Sequence, residues 1–206
     1  MGQDTRGLKS IFSAADIYDF AQNLIGARKF RRQYVDNYVN PSPGMKILDV
    51  GCGTGEILNY LPNNISYVGY DLSKAYINKA TILFKDRGIF RCQNVCDIEE
   101  ENNEQYDLVM ANGIFHHLEN IEVHKLLTKA YQLLKHGGRL CSFDPCLLPR
   151  QRFISQLLIK NDRGLNVRTP EEYKQHFNNF SHIDVHICHE MLRVPYDHTI
   201  IVAYKY

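Results

Sequence analysis

Several signals that assign a chain to a membrane or nucleic-acid class are missing from this sequence. No apolar run approaches the ~20 residues that a membrane-spanning helix needs, and the N-terminal residues lack the long apolar core of a signal peptide. Lysine and arginine number 24 against 23 aspartate and glutamate residues, so the net charge of +1 supplies no field that attracts nucleic acid or an anionic membrane. We therefore expect no membrane partner, and a nucleic-acid partner is disfavoured.

Paired metal-binding cysteines are missing as well. The six cysteines form no C-x-x-C pair, which argues against structural zinc and redox motifs. Several lie in apolar runs, where a reduced cysteine behaves as a small hydrophobic residue. The alternative metal cluster is His182, His186 and His189 with Asp184, but on a strand the first two would lie roughly 13 Å apart, too far to chelate one ion. Free thiols belong in a reducing compartment, so we expect a cytoplasmic protein with no bound metal.

The 206 residues suit one α/β domain. From Lys46 onward, strand-like and helix-like segments alternate, and this pattern predicts a parallel sheet with helices on both faces. The predicted strands are 46–50, 66–71, 89–95, 106–112, 139–144, 180–187 and 198–206. Helical segments within 8–40, the second of them at 27–38, precede them, and the PSPG sequence at 41–44 separates the two regions. Further helices are predicted at 55–61, at 72–85 with Ser73 as N-cap, and at 120–135, and Thr169 with Pro170 marks another predicted helix start.

The most informative motif is KILDVGCGTG at 46–55. An apolar run leads into Gly51, Gly53 and Gly55, and an amphipathic segment follows. Glycine has no Cβ, so backbone N–H groups in such a turn can approach a nucleotide-bearing ligand. Asp71 ends the next predicted strand, where a carboxylate accepts hydrogen bonds from both ribose hydroxyls. Turn and acid together predict a cofactor that contains adenosine.

Two cofactor classes use this layout. The dinucleotide fingerprint G-x-G-x-x-G requires a third glycine where this chain has Glu56, which disfavours NAD. The spacing D-V-G-C-G-T-G, with Asp49 ahead of the glycines, resembles the first motif of class I S-adenosylmethionine-dependent methyltransferases. That cofactor has no phosphate and carries a cationic sulfonium and an ammonium group, so Asp49 and Glu56 are tolerable near it.

The resemblance implies both the fold and the cofactor residues. The implied fold is an α/β, Rossmann-like seven-stranded sheet of order 3-2-1-4-5-7-6 with strand 7 antiparallel, formed by residues 44–206, beneath an N-terminal helical lid at 1–43. Asp97 would accept a hydrogen bond from the adenine amino group, although a turn-capping role is the alternative. The residues implied to contact S-adenosyl-L-methionine, or its product S-adenosyl-L-homocysteine, are Asp49, Gly51, Cys52, Gly53, Gly55, Asp71, Leu72, Asp97, Ile98, Asn112 and Gly113, with Tyr18, Gln22 and Arg28 from the lid.

A catalytic base is less certain from sequence, because methyl transfer from a sulfonium mainly requires binding and alignment. His116 and His117 follow the fourth strand directly, and imidazole titrates near physiological pH. His117 is preferred, since it would share a side with Phe115 if that ring points into the core. Asp144, at the end of the fifth strand, is the alternative base. The alternative is that one histidine caps the next helix while the other is exposed.

The last third contains a predicted insertion at 146–168 with five basic residues, Arg150, Arg152, Lys160, Arg163 and Arg168. As a cover over the ligand edge of the sheet, these arginines would favour an acceptor that bears a carboxylate or phosphate. The competing interpretation is that they face water. We expect methyl transfer to an oxygen or nitrogen atom of a small molecule. The alternatives are methylation of RNA or protein, and a non-catalytic S-adenosylmethionine-binding regulatory subunit.

Overall fold

Seven strands form the sheet in the computed structural model, which describes residues 26–98, 104–160, 164–189, 192 and 195–206. The strands are β1 (Lys46–Val50), β2 (Ser66–Asp71), β3 (Ile89–Cys92), β4 (Tyr106–Asn112), β5 (Leu134–Pro145), β6 (His182–Cys188) and β7 (His198–Tyr204). Their order is β3-β2-β1-β4-β5-β7-β6, and β7 runs antiparallel to both β5 and β6. The other neighbouring pairs are parallel. The predicted strand order and the antiparallel seventh strand are confirmed.

Helices cover both faces of this sheet. They are α1 (Ala27–Tyr34), α2 (Lys74–Phe84), α3 (Asn120–Leu133), α4 (Phe153–Lys160) and α5 (Pro170–Gln175). On one face, Leu126 and Leu127 of α3 pack with Leu48 of β1. On the other, Phe30 and Tyr34 of α1 pack with the opposite side of the same strands. The two apolar layers explain why β1 and β4 read as nearly continuous apolar runs.

Local capping signals in the sequence correctly predicted two helix starts. The Ser73 hydroxyl accepts a hydrogen bond from the backbone N–H of Tyr76 at the start of α2. Thr169 and Glu172 form a capping box at the start of α5, where Pro170 is the first helical residue. Both arrangements satisfy N–H groups that have no partner within the helix.

Three predicted helices differ in extent. The predicted helix over 27–38 begins as α1 and ends in a π-helical turn at Val35–Val39. The predicted helix over 55–61 is a single 3-10 turn at Glu56–Asn59, because Pro62 disfavours helical geometry in the residue before it. The predicted helix over 120–135 ends at Leu133, because the chain enters β5 without a loop. The helix predicted before residue 26 lies outside the described residues.

The described ranges contain neither a metal-binding cluster nor a membrane-spanning helix. In this part of the chain, no three His, Cys, Asp or Glu side chains are arranged to hold a metal ion. Within the same residues, no helix has the length and apolar character that crossing a bilayer requires. His182 instead pairs with Asp184 at 3.0 Å, and His189 pairs with Asp197 at 2.7 Å.

Candidate active site

The glycine turn lies at the carboxyl end of β1, where open α/β sheets bind ligands. Gly51, Gly53 and Gly55 have φ angles of 70°, 54° and 75°, a region that favours glycine. The N–H groups of Gly51 and Cys52 both donate to the Tyr70 carbonyl, at 2.7 and 3.0 Å, and hold the turn against the end of β2. A Cβ at Gly51 would collide with Ile114, whereas a Cβ at Gly53 would meet no atom within 4 Å. The Gly53 backbone therefore faces open space.

Asp71 joins this turn to the start of α2. Its Oδ2 accepts a hydrogen bond from the Gly53 N–H at 2.9 Å, and its Oδ1 accepts one from the Ser73 N–H at 2.7 Å. Two backbone donors thus fix the carboxylate, so its orientation is set without a ligand. The side chain is partly exposed and lines an adjacent cavity.

That cavity has a volume of about 390 Å³ and extends from the glycine turn to α3. Ile114 and Leu118 contribute apolar surface, and Glu122 of α3 contributes a carboxylate. Four of the predicted cofactor residues line it: Gly51, Asp71, Leu72 and Asp97. The apolar wall and the acidic groups suit a ligand with an apolar ring system and hydroxyl or cationic groups.

The other predicted cofactor residues lie around this cavity or outside it. Cys52 and Ile98 are buried in the packing below the surface. Gly55 packs against Phe90, Asn112 is the last residue of β4, and Gly113 follows it. Arg28 is exposed on α1 and does not line the cavity. Tyr18 and Gln22 fall outside the described residues, so their contacts stay predictions.

Asp49 is the most deeply buried acid near the turn. Its Oδ2 accepts a hydrogen bond from the Tyr67 hydroxyl at 2.6 Å, while its Oδ1 has no hydrogen-bond partner among the described residues. Burial raises the pKa of Asp49 to about 7, against the lowering effect of the Tyr67 bond, and the charge of Asp71 adds to the rise. A buried acid with one unsatisfied oxygen is suited to a cationic ligand group.

Glu56, which occupies the position of a dinucleotide-binding glycine, has a structural partner. Its carboxylate lies 2.8 Å from the Arg31 guanidinium, and this ion pair links the glycine turn to α1. The N-terminal helical region is thereby joined directly to the turn.

The three candidate catalytic residues lie together beyond the ends of β4 and β5. Asp144 Oδ1 accepts hydrogen bonds from the His116 backbone N–H at 3.0 Å and from His116 Nδ1 at 2.7 Å. The rings of His116 and His117 are 3.9 Å apart between centroids. Burial raises the pKa of Asp144, although the hydrogen bonds from His116 oppose the rise. With Asp144 ionised, Nδ1 of His116 donates in this pair and Nε2 is the acceptor atom of the ring.

The expectation that His117 shares the side of Phe115 is wrong. Phe115 is buried, but His116 is the buried histidine and His117 is exposed. The reason is local geometry, since Phe115–His117 is a 3-10 turn with three residues per turn rather than an alternating strand. The catalytic role of either histidine stays a prediction.

Arg168 also departs from expectation. It was expected in a cationic cover over the acceptor, but it is 8% exposed and lies beneath the turn that carries the histidines. Its guanidinium donates to the carbonyls of Phe115 and Leu118, each at 2.8 Å, and to Asn166 O and Asn120 Oδ1. The sequence around Arg168 does not indicate which distant carbonyl groups its guanidinium contacts.

A second cavity, of about 520 Å³, lies beside the segment that follows β5. Arg150, Gln151 and Arg152 line it together with His189 and Asp197. Burial alone would raise the pKa of Asp197, but hydrogen bonds from Ser155 and His189 outweigh this effect and lower it. Two arginines of the predicted cover therefore line a cavity, and Arg163 falls outside the described residues.

Sheet order, glycine turn and strand-end acid together define the class I S-adenosylmethionine-dependent methyltransferase fold, as the resemblance in the sequence implied. Residues 48–140 match the family model of the methyltransferase domain. This part of the chain is therefore similar to a methyltransferase domain. Its matched range includes the glycine turn, Asp71, Asp97 and both adjacent histidines.

Individual relatives agree with this assignment. The chain is 38% identical over 109 residues to the mitochondrial ubiquinone biosynthesis O-methyltransferase of Rattus norvegicus, covering 48% of this chain and 30% of that protein. It is 35% identical over 117 residues to the hybrid PKS-NRPS synthetase gkaA of Penicillium citrinum, covering 52% of this chain and 3% of that protein. The chain thus spans less than a third of either relative.

A solved structure extends the likeness over more of the fold. The phosphoethanolamine N-methyltransferase 2 of Haemonchus contortus, in complex with phosphomonomethylethanolamine and S-adenosylhomocysteine, superposes with a TM-score of 0.69 at 14% identity. The match covers 87% of this chain and 52% of the other. At this identity the likeness concerns the fold alone.

Proposed function

We propose that this chain is an S-adenosylmethionine-dependent methyltransferase that methylates an oxygen or nitrogen atom of a small-molecule acceptor. The observation that carries the proposal is the open backbone at Gly53 beside an Asp71 carboxylate already fixed by two N–H groups. Asp49 Oδ1 supports it, since a buried acid without a hydrogen-bond partner among the described residues fits a cationic cofactor. The similarity to the ubiquinone biosynthesis O-methyltransferase of Rattus norvegicus supports an oxygen acceptor.

The residues of the chain fit the requirements of methyl transfer. S-adenosylmethionine, when bound, supplies a methyl group that is activated by a cationic sulfur. Asp71 and the glycine turn would hold its adenosine portion, and alignment of the two reactants can be worth roughly 7–11 kcal/mol. The paired His116 and Asp144 would receive the acceptor's proton at Nε2 of His116, which can add roughly 10²–10⁴ in rate for a hydroxyl acceptor. His117, exposed beside this pair, is the second candidate for the same step.

We also propose that the acceptor carries an anionic group held by Arg150 and Arg152. Both line the cavity of about 520 Å³ next to the end of β5, the strand that carries Asp144. Guanidinium pairs bidentately with carboxylate and phosphate. Asp197 is the acid in this cavity, and its two carboxylate oxygens accept hydrogen bonds from Ser155 and His189. Arg150 and Arg152 are therefore the main cationic groups of the cavity.

Calorimetry tests the cofactor. S-adenosylhomocysteine should bind in the micromolar range and more tightly than NAD. Asp71→Ala should cost about 1.5–3 kcal/mol of binding free energy, as the loss of charge-assisted hydrogen bonds does. Asp86→Ala, which removes an exposed acid beyond α2, is the matched control and should bind normally. Tighter binding of NAD would refute the assignment.

Labelled methyl transfer across metabolite pools tests the acceptor. With the acceptor identified, the double variant Arg150→Gln/Arg152→Gln should raise its KM and leave the affinity for S-adenosylhomocysteine unchanged. Lys29→Gln/Lys85→Gln removes two exposed charges elsewhere and serves as control. An acceptor with no anionic group, or an unchanged KM, would contradict the proposed role of the arginines.

The same labelled-transfer screen distinguishes a small-molecule methyltransferase from the two alternative functions. Label transferred to RNA or protein would indicate a macromolecular acceptor with the basic segment as docking surface. Cofactor binding without any transfer would indicate a regulatory subunit. We further propose a cytoplasmic location, which the free state of all six cysteines supports.

A further inference from the structure

The outer face of α4 is unusually apolar for an exposed helix. Ser155 and Ile159 form its buried side, and the Ser155 hydroxyl donates to Asp197 Oδ2 at 2.7 Å, which anchors the helix to the start of β7. Its other side exposes Phe153, Ile154, Leu157 and Leu158, at 78%, 54%, 51% and 38% of their surfaces. These four side chains stand at helical spacing and so form one continuous patch.

The charged residues of the segment that carries this patch have one sign. Residues 146–160 contain Arg150, Arg152 and Lys160 and no aspartate or glutamate. The first two lie just before the helix, and Lys160 is its last residue. An exposed apolar helix face close to basic residues is suited to a membrane surface, because apolar side chains bury at the headgroup boundary and basic residues are attracted to anionic lipids. Each such cation adds about 1 kcal/mol next to an anionic lipid surface.

We propose that the exposed face of α4 docks onto an anionic lipid bilayer. The apolar side chains would enter the boundary between headgroups and acyl chains, and the positive charge of Arg150, Arg152 and Lys160 would attract the anionic headgroups. The net charge of the whole chain gave no reason to expect a membrane partner, but these three basic residues are concentrated in one short segment. The cavity that contains Arg150 and Arg152 adjoins the patch, so docking would bring that cavity close to the lipid surface.

The absence of tryptophan from the sequence allows a direct test. Phe153→Trp introduces a single fluorophore at the most exposed position of the patch. Vesicles of phosphatidylcholine mixed with phosphatidylglycerol should shift its emission to the blue, and brominated lipids should quench it. Vesicles of phosphatidylcholine alone should do so far less, and added salt should weaken the effect. Ile121→Trp, at a 62% exposed position next to Glu122, is the matched control and should not respond.

A second variant tests the apolar contribution without a reporter. Leu157→Gln should lower the partition of the otherwise unchanged protein into anionic vesicles about tenfold, since the burial of one leucine side chain is worth about 1.5–3 kcal/mol. Ile82→Gln makes the same type of change at a 65% exposed position on α2 and should partition like the unchanged protein. Calorimetry with S-adenosylhomocysteine should show that both variants remain folded, and it measures the proposed cofactor function separately.

Several outcomes would overturn the proposal. If anionic vesicles leave the fluorescence emission of Phe153→Trp unchanged, the proposal is wrong. Emission already blue in buffer would mean that another part of the chain, such as residues 1–25, covers the patch. A blue shift that grows with protein concentration would identify a second copy as the occupant. Equal partition into zwitterionic and anionic vesicles would contradict the role given to the three cations.

Discussion

One oxygen of Asp144 fixes both the main chain and the ring of His116. Oδ1 accepts the backbone N–H of His116 at 3.0 Å and its Nδ1 at 2.7 Å, and both residues are buried. The end of β5 is thereby connected to the turn that follows β4. The orientation of the imidazole is therefore set by a residue 28 positions away in the sequence.

Loss of this connection should impair turnover more than cofactor binding. In Asp144→Asn, we expect kcat with the identified acceptor to fall by about 10²-fold, at the lower end of general-base effects, because the amide does not reproduce the charge that orients the imidazole. Affinity for S-adenosylhomocysteine should stay within about twofold, since Asp144 does not line the cofactor cavity. Asp184→Asn alters an exposed acid that pairs with His182 and is the control. An unaltered kcat in Asp144→Asn would exclude this role.

Gly53 and Gly137 have similar backbone geometry, so variants at the two positions distinguish the effect of backbone strain from the effect of lost ligand contact. Gly53 and Gly137 have φ angles of 54° and 81°, and a Cβ at either would meet nothing within 4 Å. Alanine at each should therefore cost a similar 1–2 kcal/mol of stability, roughly the penalty for left-handed backbone. Only Gly53→Ala should weaken binding of S-adenosylhomocysteine, and Gly53→Val should abolish it. If Gly53→Val bound normally in calorimetry, Gly53 would not face the cofactor.

The buried Asp49 should make stability depend on pH. Its pKa rises on folding from 3.8 to about 7, so in this window the folded protein holds a proton that the unfolded chain has released. Stability should therefore fall as the pH rises from about 4 to about 8, by at most about 4 kcal/mol from this group. Urea denaturation of Asp49→Asn should show a flatter dependence. Because burial also raises the pKa of Asp144, the quantity to compare is the difference between the two proteins. Parallel profiles would show that Asp49 is ionised in the folded state.

Arg168 should be needed for the stability of the turn that carries the histidines. Lysine at this position cannot reproduce the planar fork that reaches the carbonyls of Phe115 and Leu118. At a cost of about 1–3 kcal/mol for each buried acceptor left unsatisfied, Arg168→Lys should lower the free energy of unfolding by about 3 kcal/mol. The exposed Arg150→Lys is the control and should change it by less than about 0.5 kcal/mol. A similar small change in Arg168→Lys would mean that water or lysine replaces the lost bonds.

The sequence predicted those parts of the molecule that depend on local signals. Alternation of strand and helix gave the sheet, and the resemblance carried by the glycine spacing gave its strand order. Asp71 was correctly expected next to the glycine turn, since the carboxyl ends of β1 and β2 meet at the same edge. Ser73 and Thr169 cap helices as expected, because capping depends on residues three positions apart.

Features that depend on tertiary contacts could not be predicted in this way. Whether His116 or His117 faces inward depends on a 3-10 turn whose period differs from that of the strand before it. The buried position of Arg168 depends on carbonyl groups about 50 residues earlier in the chain. The apolar face of α4 became visible only when its buried side was known, since Ser155 points inward and Phe153 outward.

The residues that line the two cavities come from different parts of the chain, on either side of residue 140 in β5. The family match ends at residue 140, inside β5 (Leu134–Pro145), and the residues of the cofactor cavity all precede that point. Every residue that lines the cavity proposed for the acceptor follows it. The C-terminal third could therefore be exchanged between homologous chains at β5 as one unit, with a change of substrate but the same methyl donor. In such a chimaera, Asp144 would travel with the new third and His116 with the old, so their pairing is the contact to preserve at the junction.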